Sequence, residues 1–397
     1  MKISYAMLAL LLAFLNAIGP FSIDAYLPAF PAMQADLATD AVAMQQSLTA
    51  YMLPFSIMML WHGAISDALG RKRVIVAGLI LFSLASLVCV FAPNVHVLII
   101  GRALQGLSAG AGVIVGRAIV RDLFDGPAAQ RLMSHIAMVF AISPAIAPIL
   151  GGALGEWFGW RAIFVFLSVL ALAQLVMTLR FLPETLPVEK RQSLHPAHML
   201  AGYVQILGNP AFVLMALTMS FFFAGFFLYV MSAPVFLMQH LKLGPTEFGW
   251  LFVPLVTGMI SGSLLAVRLS HRLKPAAIIR VAFCISATAA ILNLLANWLL
   301  PDLIITRIPQ LTIHTLALNL AFPSMTLMAL DMFPDRRGMA ASCQGFIHTL
   351  TMAIGAGVIS PLLWDTTRHL ALGMAASWLL ALGCYLLNRR VLRKQTI

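Results

Sequence analysis

The sequence predicts an all-α membrane protein, with twelve transmembrane helices in two pseudo-symmetric six-helix bundles. Three observations carry this. Hydrophobic residues make up 61% of the 397 positions and charged residues only 10%, a balance that a soluble core with a polar surface cannot accommodate. The apolar residues are gathered into runs of about 20, the length that crosses a bilayer core roughly 30 Å thick. Lys and Arg concentrate in every second connection between those runs.

Taken in order, the apolar runs predict spans near residues 4–27, 43–65, 74–92, 96–120, 132–154 and 161–182. Six more are predicted near 211–237, 247–269, 276–298, 303–330, 338–362 and 370–388. The breaks between them are charged or rich in Gly, Pro and Asn, the residues that stop helices and make turns. An even number of spans puts both termini on one side. That side carries Lys2, Arg71, Lys72, Arg73, Arg121, Arg131, Lys190, Arg191, Arg272, Lys274, Arg336, Arg337, Arg389 and Arg390, whereas Arg161, Lys242 and Arg368 fall opposite. Translocated loops are kept poor in positive charge, so the terminal side is expected to be cytoplasmic.

The net charge of +11 is spread over all the cytoplasmic connections instead of forming one basic face, which fits anionic lipid headgroups and not nucleic acid. The first span is read as uncleaved, because Leu15-Asn16-Ala17 is a poor small-residue cleavage site. Cys89, Cys284, Cys343 and Cys384 fall inside predicted helices without metal-ligand spacing and read as small packing residues. No metal or cofactor is implied. Pro183-Glu-Thr-Leu-Pro187 opens the longest polar connection. The expected organisation is therefore a bundle over 1–182, a cytoplasmic linker over 183–210, and a second bundle over 211–397 with a short tail. Transporters built from such repeats hold their substrate between the halves, at mid-membrane.

Several residues carry specific chemistry. Gly63-Ala-Ile-Ser-Asp67-Ala-Leu-Gly70-Arg71-Lys72-Arg73 is expected to turn tightly between spans 2 and 3. Its Asp67 would cap the next helix or pair with Arg121 as a latch. Asp24 lies near the outer end of span 1, where an acid at membrane depth points to proton exchange. Arg102, at a similar depth in span 4, is its expected counter-charge, and Gln105 continues the same face. Arg117 lies deeper in span 4. Arg307, Gln310 and His314 are spaced i, i+3, i+7 on span 10, and Gln344 and His348 are spaced i, i+4 on span 11, giving two polar faces. Together these hint at an anionic or strongly polar substrate. On span 7, Phe222, Phe226 and Tyr229 form an aromatic stripe suited to varied apolar ligands, while Tyr51 and His62 share a face of span 2.

These motifs resemble the major facilitator superfamily and, within it, the drug:proton antiporters of the bicyclomycin-resistance type, over nearly the whole chain. The Gly63–Arg73 segment is similar to the superfamily signature between spans 2 and 3, with Ile65 at its leucine position. Ser22-Ile-Asp24-Ala-Tyr26-Leu-Pro28 looks like the subfamily's end of span 1, Arg102-Ala-Leu-Gln105-Gly106 like its span 4 motif, and Arg121-Asp122 like that span's cytoplasmic end. Ser143-Pro144-Ala-Ile-Ala-Pro148-Ile-Leu-Gly151-Gly152 resembles the antiporter motif of span 5, with alanine where glycine is usual before the second proline. The resemblance implies gating roles for Gly63, Asp67, Gly70, Arg71, Lys72, Arg121, Pro144, Pro148, Gly151 and Gly152.

The expected function is export of small organic compounds by alternating access, coupled to protons, by a monomer in the inner membrane. A dedicated carrier of a polar or anionic metabolite, such as a siderophore or nucleoside, is the alternative. An intramembrane enzyme is remote, since no His-Glu-x-x-His occurs and Gly106-Leu-Ser108-Ala-Gly110, which has the Gly-x-Ser-x-Gly spacing, lies inside an apolar span and not at a strand-to-helix turn.

Overall fold

A computed structural model describes residues 4–191 and 196–395; Lys2 and part of the 183–210 connection lie outside the described residues. All regular structure among these residues is helical, and twelve helices are long and apolar enough to cross a membrane. We label their main segments α1 (Tyr5–Asp24), α2 (Ala41–Leu69), α3 (Arg71–Val90), α4 (Val95–Leu123), α5 (Gly126–Phe158), α6 (Arg161–Phe181), α7 (Pro210–Met231), α8 (Gly249–Ser270), α9 (Pro275–Leu299), α10 (Pro309–Leu330), α11 (Arg337–Ile354) and α12 (Thr367–Gln395). Their starts follow from local chemistry. Ser4, Asp40, Asn94 and Asn209 cap α1, α2, α4 and α7 by accepting hydrogen bonds from first-turn amides, and Pro210, Pro275 and Pro309 occupy first helical positions where no N–H is needed.

Three boundaries differ from expectation, each for a physical reason. Span 1 does not end at Leu27: a 3-10 turn over Leu27–Ala29 leads into a helix over Phe30–Asp36, because Pro28 and Pro31 sit in first turns, where proline is tolerated. The predicted loop at Gly63–Arg73 is helix on both sides of Gly70, whose φ of +102° makes the turn in one residue. The 183–210 connection carries a helix, Pro196–Leu207, which docks on the start of α11 through Arg336 and Gln205 (2.6 Å).

The chain separates into two compact units, Met1–His195 and Pro196–Ile397. In the first, α2 packs on α4, α3 on α4 and α6, and α1 on α5. In the second, α8 packs on α10, α9 on α10 and α12, and α7 on α11, repeating these pairings six helices later, while α7 packs most extensively on α12. A further correspondence concerns two of the cations expected on the side opposite the termini. Arg161, opening α6, donates to the carbonyls of Val90 and Ala92 at the end of α3 (3.1 and 3.2 Å). Arg368, opening α12, donates to the Asn297 carbonyl at the end of α9 (3.2 Å). Both satisfy carbonyls that a helix end leaves open, at the pole that favours a cation.

The α2–α4 pair is held backbone to backbone at Gly106, where an added Cβ would run into the Tyr51 carbonyl. Gly106→Ala is therefore expected to cost about 1–3 kcal/mol by overpacking, read as a lower apparent unfolding temperature in detergent. Gly116→Ala, whose Cβ would meet its nearest atoms at an ordinary 3.6 Å, is expected to leave that temperature near wild type. Equal shifts for the two would contradict this packing.

Candidate functional site

Because the first span continues to Asp36, Asp24 sits well inside it, not at its outer end, and is only 5% exposed. The next residue, Ala25, has its carbonyl against Gly151 of α5, at a spot where any Cβ would collide. Residues of the expected proton site and of the antiporter-like motif are thus in backbone contact. Pro144 and Pro148 lie inside an unbroken α5, each removing one amide donor from its ladder, and Gly152 is buried beside them.

Arg102 is fully buried (0% exposed). Its guanidinium lies between the rings of Tyr26 and Tyr51, 4.4 and 4.5 Å from their centroids, an arrangement worth about 2 kcal/mol per ring when desolvated. Nη1 donates to Gln105 Oε1 (2.6 Å), and Gln105 in turn donates to Ser86 (2.7 Å). Among the described residues, Nε and Nη2 of Arg102 have no hydrogen-bond partner. Among the described residues no carboxylate is within ion-pair distance of Arg102. The expected direct pairing with Asp24 is absent; instead, Tyr51 lies within electrostatic reach of both charges. Gln105 is taken up in holding Arg102.

His62 is buried against Gly110 of α4. Arg117 is exposed, and the like-charged Arg121 lies one turn further along α4.

At the α2–α3 turn, Arg71 and not Arg121 is the partner of Asp67 (2.5 Å). Arg71 also donates to Asp122 (3.0 Å) and Ser66 (2.7 Å). Its backbone N–H, the first of α3, donates to Glu184 (2.9 Å), which also accepts from the amides of Thr185 and Leu186 (both 3.1 Å). Lys72 donates to the Leu179 carbonyl (2.9 Å). A Cβ added at Gly63 would meet Ile114 at an ordinary 3.7 Å. Asp122 and Glu184 thus complete this network, and a carboxylate at a helix N-terminus is favoured there. Glu184 is 113 residues from Arg71, a separation that no local pattern bridges.

In the second unit the predicted polar faces divide. Arg307 is 3% exposed and fully engaged: it pairs with Asp302 (2.6 Å) and donates to the carbonyls of Ala296 (2.6 Å) and Leu300 (2.9 Å). The i, i+3, i+7 stripe assumed one continuous helix, but a short helix ends at Arg307 and α10 begins at Pro309. Gln310 donates to the Thr306 carbonyl (3.0 Å). His314 has both ring nitrogens occupied, Nδ1 by the Ser286 hydroxyl (2.8 Å) and Nε2 by the Phe222 carbonyl (3.1 Å). Gln344 donates to the Met219 sulfur (2.7 Å).

The aromatic stripe also splits. Phe222 packs on Phe283 and His314, and Tyr229 on Phe236 while accepting from Asn293 (2.8 Å). Both are interior fasteners of this unit. Phe226 instead contacts Phe223, whose ring lies against His348.

Sequence comparison agrees with this architecture. The profile described as Major Facilitator Superfamily matches residues 10–356 and 230–396. Multidrug resistance protein D of Escherichia coli is 28% identical over 96% of this chain and 95% of that protein. The bicyclomycin resistance protein homolog of Haemophilus influenzae is 27% identical over 97% of each. Among solved structures, the human organic anion transporter MFSD10 superposes with a TM-score of 0.71 over 96% of this chain and all of that one, at 17% identity. These relatives are transporters, not enzymes.

Arg71 gathers two carboxylates and a hydroxyl while largely buried, whereas Lys72 makes a single exposed bond. Arg71→Ala is expected to lower the apparent unfolding temperature by several degrees, on the scale of roughly 2–4 °C per kcal/mol for a unit of this size. Lys72→Ala should change it little. A thermal-shift assay in detergent compares the two, and a larger effect at Lys72 would contradict the network.

Proposed function

This chain belongs to the Major Facilitator Superfamily, and on that footing we propose that it exports small organic compounds by alternating access, driven by protons moving inward. The observation that carries this is the burial of Asp24 inside the first span, in a unit that also buries Arg102, two of whose donor nitrogens have no partner among the described residues. An intramembrane acid is costly to keep unless it works. In this reading Asp24 carries the proton. When ionised it is drawn toward the free edge of Arg102 across Tyr51; when protonated it releases that hold. Each state favours a different packing of α1 against α5 at the Ala25–Gly151 contact, and a bias of a few kcal/mol is enough to shift a balanced carrier.

The relatives named for multidrug and bicyclomycin resistance support export as the direction. The working form is a monomer in a bacterial inner membrane with both termini cytoplasmic, needing no cofactor, metal or nucleic acid. Substrate contacts are assigned to Phe226, Gln344 and His348, with Arg117 as the exposed cation. The network of Gly70, Asp67 and Arg71 belongs to gating, with Arg121 at the end of α4.

A second reading, a carrier dedicated to polar or anionic metabolites, draws on Arg117 being exposed and having no ion-pair partner among the described residues. The two readings separate on cargo: Arg117→Ala should weaken transport of acidic compounds more than neutral ones if the second holds, and both alike or neither if it does not.

Efflux of a compound panel from cells, with and without a proton uncoupler, tests the coupling. Asp24→Asn at equal expression is expected to abolish uncoupler-sensitive efflux. Unchanged pH-driven efflux in that variant would remove Asp24 from the mechanism, and cargo accumulating inside cells would reverse the proposed direction.

A further inference from the structure

The second unit contains two intramembrane histidines with opposite surroundings. His314 is buried with both ring nitrogens bonded, so it has nothing left to offer a ligand. His348, on α11, has no hydrogen-bond partner among the described residues, and its Nδ1 is buried and unsatisfied. Its ring stands edge-on between Phe223 of α7 (centroids 4.7 Å apart, 71°) and Phe322 of α10 (6.0 Å, 75°). Phe223 extends the surface to Phe226 (5.1 Å) and Phe227 (5.5 Å). His348, Phe223, Phe227 and Phe322 are each part-exposed, in contrast to the fully packed Phe222 and His314. Three helices of one unit thus form a partly open aromatic cup with one free imidazole in its wall.

From this we infer that the cup is a substrate subsite for planar aromatic compounds bearing a hydroxyl or N–H group, and that His348 selects for that group. The inference rests on the export reading above and specifies its cargo. Aromatic walls accept flat rings in offset or edge-on contact with little regard to identity. A single polar group in an apolar site then fixes orientation and specificity. Neutral imidazole presents one acceptor and one donor nitrogen, so it bonds a phenolic hydroxyl or a ring N–H but has nothing to match on a methyl substituent of the same size. An analogue lacking the hydrogen-bonding group leaves the nitrogen unpaired in an apolar wall, and a site built to bond such a group rejects that analogue.

The test uses the full-length protein in lipid nanodiscs, without a pH gradient, and two fluorescent probes: a hydroxycoumarin and a methylcoumarin substituted at the same ring position. Binding is read at mildly acidic pH, where both are neutral. Wild type should bind the hydroxy compound about tenfold more tightly, the scale of one net hydrogen bond in a dry site. His348→Phe should abolish that preference while still binding the methyl compound, and Phe322→Ala should weaken both probes alike. If His348→Phe is not monodisperse, His348→Leu carries the same comparison. Equal wild-type affinities, binding of neither probe, or a preference that survives loss of the imidazole would each overturn the inference. Because no gradient is present, failure of proton-driven efflux would sink the export reading and leave this comparison standing; the reverse result would leave export standing without the subsite.

Discussion

Lipid offers no hydrogen bonds, so each polar group carried into the spans must find its partner within the protein or incur a desolvation cost. This constraint sorts the intramembrane side chains of this molecule. Arg307, His314 and Asn293 are bonded to neighbouring side chains or backbone carbonyls, and their effect is to fasten helices to one another. Arg102, Gln45 and His62 are buried with donors or acceptors left over, as is Nδ1 of the part-exposed His348. A group kept in that condition is costly, at about 1–3 kcal/mol for each unsatisfied atom. Spare hydrogen-bonding capacity, more than polarity as such, marks where ligands and protons are to be sought.

Backbone contact adds mechanical consequence. α1 and α5 meet at Ala25 and Gly151, one residue from Asp24, with no side chain between them to absorb a shift. α2 and α4 meet in the same manner at Tyr51 and Gly106, beside the ring that flanks Arg102. In the proposed mechanism a change in the charge of Asp24 would act on helices that touch directly, and closely packed contacts tend to have discrete arrangements instead of yielding gradually.

The membrane class, the number of spans and the presence of Asp24 and Arg102 within apolar runs were legible in the sequence, because charge inside an apolar run is conspicuous and each span repeats the same signal. What the sequence hid was partnership. The spacing of Arg307, Gln310 and His314 looked like a ligand face, yet backbone carbonyls, which no side-chain pattern displays, take up Arg307 and one nitrogen of His314. Glu184 escaped notice because its partners lie in a distant helix end. Pro28 and Pro31 read as a helix stop, although they open a new turn and carry the first span onward, which moved Asp24 from the interface to the interior. The stripe of Phe222, Phe226 and Tyr229 followed helical periodicity correctly, but which face of α7 is open depends on α9, α10 and α11.

Proton exchange at the buried Asp24 is the claim on which the rest depends. Its most direct measurement is the count of protons released when a transported dye binds purified protein in weakly buffered detergent, read with a pH indicator. The account predicts release of close to one proton per bound dye in wild type and none in Asp24→Asn. Release that persists in Asp24→Asn, or dye binding to wild type without any proton leaving, would contradict it.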